Sequence, residues 1–145
     1  MELSLLIREN NDFDSSYTNL RLFAHADLLI YQRKYDEALL FFDSIRKRQF
    51  THSLYDQILM KRAEIAIKRG NLDDALKYLE DIYTLYADAL LADDALYLAA
   101  RINEEQLHMP VRAMTLYERL ILEHPSSLFI PDARRRFREL RGHQL

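Results

Sequence analysis

The chain has 145 residues, 49% of them hydrophobic, which is enough to bury a core and excludes a disordered polymer. With only 2 Gly and 3 Pro it lacks the turn residues of a β-rich fold, and its supply of Ala, Leu, Glu, Lys and Arg favours an all-α one. A formal net charge of −3 sets up no field that would draw nucleic acid, and the absence of Cys removes disulfides, zinc–thiolate sites and thiol nucleophiles together.

No stretch approaches the run of about 20 apolar residues that a membrane span requires. MELSLLIREN is a poor signal peptide, because Glu2 stands where positive charge is expected and the apolar run stops at Arg8. Leu3, Leu6 and Ile7 mark one face of a short first helix. They look like the second helix of a hairpin whose first helix is missing, so the expectation is a fragment of a larger protein or self-association through this helix. As a fragment of an exported protein the chain would sit in the periplasm or envelope, and otherwise in the cytoplasm.

Asn10–Ser16 is rich in capping residues and reads as a connection. The second helix is expected over about 17–33, with Leu22, Ala26, Leu29 and Ile30 inward, and the third over about 36–48, where Ala38, Phe41, Phe42 and Ile45 form a buried stripe. Ser53, three residues before Asp56, resembles a capping box opening a fourth helix that ends near Arg69. Gly70 can take the left-handed conformation that ends a helix, and Asn71 can cap the next, which runs from about Leu72 to Tyr86. Asp93 and Asp94 suit the positive end of a helix reaching about Leu107. Pro110 fits the first turn of a helix that Pro125 stops, and a last helix begins near Ser127 with Pro131 in its first turn.

The hairpins superimpose. Ala38, Ala75 and Ala113 lie 37 and 38 residues apart, and Ala26, Ala63 and Ala99 precede them by 12, 12 and 14. Such a period belongs to helical solenoids, in which each hairpin buries its core against the next. The clearest unit is Leu59–Ala87, where small residues sit at both helix contacts on either side of Gly70-Asn71.

These residues resemble the tetratricopeptide repeat, which places small residues at two helix contacts, an aromatic or large residue four after the second, and a closing Pro. Ala26, Tyr35, Ala38 and Phe42 supply the first repeat, Ala63, Gly70, Asn71, Ala75 and Leu79 the second, and Ala99, Ala113, Tyr117 and Pro125 the third. The period exceeds the usual 34, Phe50 and Ala87 replace two closing prolines, and Gln106–Met109 lengthens the third turn. The resemblance implies one domain over residues 1–145, a right-handed α-solenoid of about three hairpins (roughly 17–50, 53–87 and 90–125) with flanking terminal helices, the last a cap over 127–141. The pieces DALYLAA, YERLILEHP and PSS are most similar to tetratricopeptide proteins of Gram-negative cell envelopes, which act in envelope assembly.

No catalytic constellation is legible. The five His residues, His25, His52, His108, His124 and His143, are scattered, and no pair has helical metal-site spacing. His25 stands where the repeat usually has a large apolar residue. Without a Gly-rich loop there is no phosphate cradle. The expectation is therefore a non-enzymatic scaffold without cofactor or metal, binding a protein or peptide.

In tetratricopeptide arrays the first helices line a concave groove. By alignment these residues are Phe23, Asp27 and Ile30, then Met60, Lys61 and Glu64, then Leu96, Tyr97 and Asn103, with Asp93 beside them. Apolar anchors among carboxylates suit a segment carrying apolar side chains and Lys or Arg. Asp27 and Glu64 would repel the terminal carboxylate that one chaperone-binding subgroup captures. Arg134, Arg135, Arg138 and Arg141, with Arg136, form a basic run whose rival reading is a nucleic-acid or acidic-partner module. No aromatic stacking platform accompanies the run, which favours a solvated helix face.

Overall fold

A computed structural model describes residues 11–47, 54–88 and 90–144. Among them are seven α-helices: α1 Asn11–Tyr31, α2 Tyr35–Lys47, α3 Tyr55–Lys68, α4 Leu72–Leu85, α5 Ala92–Arg101, α6 Pro110–Glu123 and α7 Ile130–Gln144. A π-helical turn, Ile102–Gln106, continues α5. The described residues contain no strand, so the fold is all-α and of the kind an α-solenoid uses. The expected first helix with Leu3, Leu6 and Ile7 lies outside the described residues, as does Ser53.

The chain clusters into two compact units, one ending at Tyr55 and one spanning Asp56–Leu145. In the first, α1 and α2 pack on each other through the buried Ala26, Leu29, Ile30, Ala38, Phe42 and Ile45. α1 begins at Asn11, about a turn and a half before the expected Tyr17. Asn, Asp and Ser are turn formers but are equally favoured in a helix's first turn, where carboxylates complement the dipole.

The second unit is built from α3–α4, α5–α6 and α7 around a core that includes Leu79, Ile82, Leu96, Ile102, Tyr117 and Leu120. Small residues occupy the close approaches: Ala63, Ala75, Ala99 and Ala113 are all at most 1% exposed. Ala133 and Ile130 carry α7 onto the same core, with Phe137 and Leu140 packed beside them.

Each hairpin turn holds one residue with positive φ: Arg33 at 63°, Gly70 at 76° and His108 at 52°. These positions repeat in register with the alanines. In the first two turns the residue closes a Schellman pair. Arg33 and Lys34 donate N–H bonds to Ile30 and Leu29 at 2.9 and 2.8 Å, and Gly70 and Asn71 do the same to Ile67 and Ala66 at 3.0 and 2.8 Å. Gly70 alone adopts this backbone without strain. A Cβ on Gly70 meets nothing within 4 Å, so the cost of Gly70→Ala is purely conformational. It is expected to be about 1 kcal/mol, whereas Arg33→Gly should stabilise by a few tenths of a kcal/mol or more. Urea unfolding of both variants checks the opposite signs.

The structure corrects two turn readings. Asn71 makes no capping bond to the backbone; its Nδ2 instead donates to Asp74 Oδ2 at 2.7 Å. The two extra residues of the third hairpin do not simply extend the loop after Leu107. They are absorbed by the π turn, in which Leu107 N–H donates to Ile102 O at 3.0 Å and Met109 N–H to Asn103 O at 2.8 Å. A π turn is the usual helical answer to an insertion. α7 starts three residues after the expected Ser127, whose Oγ donates to Asp93 at 2.7 Å and accepts Phe129 N–H at 3.2 Å.

Candidate partner-binding surface

On α5, Asp94, Tyr97, Leu98 and Arg101 stand at three- and four-residue spacings and therefore share one face. With Met60 of α3, Leu91 and Phe129 they line an open cleft of about 340 Å³. Tyr97 organises its wall. The Tyr97 and Phe129 rings stack with centroids 4.4 Å apart and planes 8° from parallel, and the Arg101 guanidinium lies 5.8 Å from the Tyr97 centroid. The Tyr97 hydroxyl donates to Asp132, and burial, together with that bond, raises its pKa. Arg101 is itself neutralised, since its Nη2 reaches both oxygens of Glu105 at 3.1 Å.

A second hollow of about 550 Å³ adjoins the cleft and shares Asp94 and Phe129 with it. Asp88, Leu90, Asp93, His124, Ser126, Ser127 and Leu128 complete its lining. Burial raises the pKa of Asp94, and neighbouring Asp93 raises it further.

Within the second unit the residues expected to form the groove divide among different places. Met60 and Tyr97 line the cleft, and Asp93 the hollow beside it. Lys61 and Glu64 pair on α3 at 3.5 Å. Leu96 is fully buried and Ile30 is 3% exposed, so both are core rather than contact residues. Phe23 packs edge-on against Phe42 at 5.5 Å within the first unit, where Asp27 is exposed on α1. Asn103 lies on a different side. It is buried, donates to Ala99 O at 2.8 Å, and lines a hollow of about 380 Å³ with Leu76, Glu80 and Tyr83 of α4 and Arg112 and Leu116 of α6. Sequence reasoning missed Leu91, Asp94, Leu98, Arg101 and Phe129 as lining residues. The helical period from Tyr97 could have found Asp94 and Arg101, and the period from Asp94 Leu98, but Phe129 arrives from an inter-helix loop that carries no periodic signal.

The basic run also divides. Arg136, at the centre of the expected run, turns inward. It donates to Asp132 at 2.7 Å, Glu104 at 2.8 Å and Glu105 at 2.9 Å, tying α7 to the π turn that continues α5. Tyr117, fully buried, adds its hydroxyl to Glu104 at 3.4 Å, and burial with the Glu104 charge pushes its pKa well up. Burial works against the Asp132 carboxylate, but hydrogen bonds from Tyr97, Arg135 and Arg136 outweigh it and hold Asp132 well below the usual range. Arg135 pairs with Asp132 and with Glu139 at 3.3 Å, and Arg134, Arg138 and Arg141 are exposed. His25 is exposed too, its ring 4.5 Å from Phe41. Among the described residues no group of three or more His, Cys, Asp or Glu is placed to hold a metal, and no helix is long and apolar enough to cross a membrane.

The geometry is that of a shallow, open surface with an aromatic wall, apolar side chains beside it and the carboxylates of Asp88, Asp93 and Asp94 at one end. Residues 57–89 and 94–127 match the family model described as tetratricopeptide repeat. These stretches are the α3–α4 and α5–α6 hairpins. No curated protein and no solved structure matches the chain significantly.

Proposed function

Proceeding from two tandem tetratricopeptide repeats, a module that generally mediates protein–protein interaction, we propose that the protein is a non-enzymatic scaffold that holds a peptide segment of a partner protein in the Met60–Tyr97–Phe129 cleft. The observation that carries this reading is the cleft itself, an apolar recess on first helices of adjacent repeats, walled by a Tyr97 ring fixed at its face and at its hydroxyl. Preorganised aromatic walls of this kind gain affinity because little side-chain freedom is lost on binding. In this reading α1–α2, with Ala26 and Ala38 at the small positions, forms a further repeat, and no cofactor is used. The likeness of DALYLAA and YERLILEHP to envelope proteins supports a role in Gram-negative envelope assembly.

The test is selection of random dodecapeptides displayed on phage against the folded protein. Enriched peptides are expected to bind about tenfold or more weakly to Met60→Gln with Leu98→Gln, because each change removes roughly 40–80 Å² of apolar contact at about 25 cal/mol per Å². Unchanged affinity in a variant that melts like wild type would move the binding site elsewhere.

A second reading keeps a specific observation: Arg134, Arg138 and Arg141 fall on one stripe of α7, and no carboxylate among the described residues pairs with them. An acidic polymer would bind there through its phosphates or carboxylates. Binding of single-stranded nucleic acid at physiological salt that disappears in Arg134→Glu with Arg138→Glu would favour it over the scaffold.

A further inference from the structure

The Tyr97 cleft and the hollow beside it are one path for a ligand, because Asp94 and Phe129 line both. A segment that extends from the cleft into the hollow meets the shared Asp94 carboxylate, and Leu90 and Leu128 are among the residues that line the hollow. These two leucines are 89% and 93% exposed, a large apolar surface for side chains beside a recess.

The charges along this path are unequal. Arg101, the cation in the cleft, already has its counter-charge in Glu105. Asp88, Asp93 and Asp94 have none: no Lys or Arg among the described residues pairs with them, and Asp93 receives only the Ser127 hydroxyl. Asp94 is half-buried and beside Asp93, the two features that raise its pKa, so a positive neighbour would relieve both.

We propose that this surface selects an extended partner segment in which a Lys or Arg lies between two apolar residues, the first apolar side chain in the Tyr97 cleft, the cation at Asp94 and Asp93, and the second apolar side chain against Leu90 and Leu128. The inference rests on the peptide-binding reading above and adds to it the chemistry of the ligand. An acidic segment is excluded by repulsion from the three carboxylates. A neutral one would leave the Asp94 carboxylate half-desolvated with nothing to compensate it.

Random dodecapeptides selected on phage supply the probe. Enriched sequences are expected to carry the apolar–basic–apolar order, and a synthetic peptide with that consensus is then measured by fluorescence anisotropy beside its Lys→Gln and Lys→Glu counterparts. Against wild type the Lys peptide should bind about tenfold more tightly than the Gln peptide, with the advantage shrinking as salt rises. Asp94→Asn, alone and with Asp93→Asn, should erase that advantage, the Lys peptide losing affinity while the Gln peptide, no longer desolvating a carboxylate, gains some. Asp94→Lys should turn the preference toward the Glu peptide. Among the described residues Asp94 makes no side-chain hydrogen bond, so Asp94→Asn keeps the test meaningful even if the double variant is less stable. Peptides that are enriched, depend on Met60 and Leu98, and yet bind equally with Lys or Gln would overturn the cation selection while leaving the cleft as the site. A selection that enriches nothing over an unrelated protein would sink the peptide-binding reading, and the inference with it.

Discussion

Arg136→Met is expected to lose about 2–3 kcal/mol of stability at neutral pH. Removing one member of a buried ion pair costs about 3–5 kcal/mol because the remaining charge stays desolvated, and the lower figure reflects the partial exposure of the carboxylates here. Asp132, 32% exposed, keeps Tyr97 and Arg135, and Glu105, 41% exposed, keeps Arg101. Glu104 is only 19% exposed and would keep just the 3.4 Å bond from Tyr117, so most of the loss falls there. Two measurements check this. Glu104→Gln in the Arg136→Met background should recover part of the loss in a double-mutant cycle. The second is pH dependence. Asp132 and Glu105 both have folded pKa values below their ordinary ones: burial opposes this in each, and bonds from Arg136 with Tyr97 and Arg135, or with Arg101, prevail. A depressed carboxylate contributes stability above its unfolded value, near pH 4, and that contribution drains as pH falls toward the folded value. Wild type should therefore lose stability steeply below about pH 4, and Arg136→Met less so, so that the two converge in acid. A variant within about 0.5 kcal/mol of wild type at pH 7 would mean that water already satisfies Glu104.

Ala75→Leu should cost about 1–3 kcal/mol. Ala75 is fully buried on α4, and because protein interiors are close-packed, extra methylenes there force side chains from their rotamers or the helices apart. Such a loss is a large share of the roughly 5–15 kcal/mol that holds a domain of this size together. Lys77→Leu, on the exposed face of the same helix, is the control and should stay within about 0.5 kcal/mol. Equal midpoints for Ala75→Leu and the control in urea would show that α4 crosses its neighbours somewhere other than at Ala75.

By itself the sequence determined whatever repeats locally. Alanines at a period of 37 and 38 fixed where helices approach, because a tight contact admits only a small side chain, and Gly70 and Pro110 punctuated helices through φ alone. Helices were therefore legible to within a residue or two from α2 to α6, and the hairpin architecture with them. Local signals failed where two physical roles share one residue type. The Asn- and Asp-rich stretch before Tyr17 reads as a turn but is helix, and Asn71 reads as a backbone cap but bonds Asp74. Positive φ at Arg33 and His108 carries no glycine to announce it; the equivalence to Gly70 reveals it only after the turns are superimposed.

Tertiary structure alone decided which members of each candidate set face outward. Leu96 and Tyr97 are neighbours in sequence, yet a 100° step around α5 makes one core and the other the cleft wall. The π turn shifts register after Arg101 and brings Glu104 and Glu105 to Arg136, more than thirty residues away, turning the centre of an apparent basic patch into an internal tie. Phe129 joins the cleft because α7 packs on α6 with Asp132 at the Tyr97 hydroxyl, which lays the preceding loop against the Tyr97 ring. None of these contacts lies within a helix turn of its partner in sequence. Periodicity reports which side chains share a face, but the face on the opposite side of a contact comes from packing between distant elements, and that is where the candidate site is made.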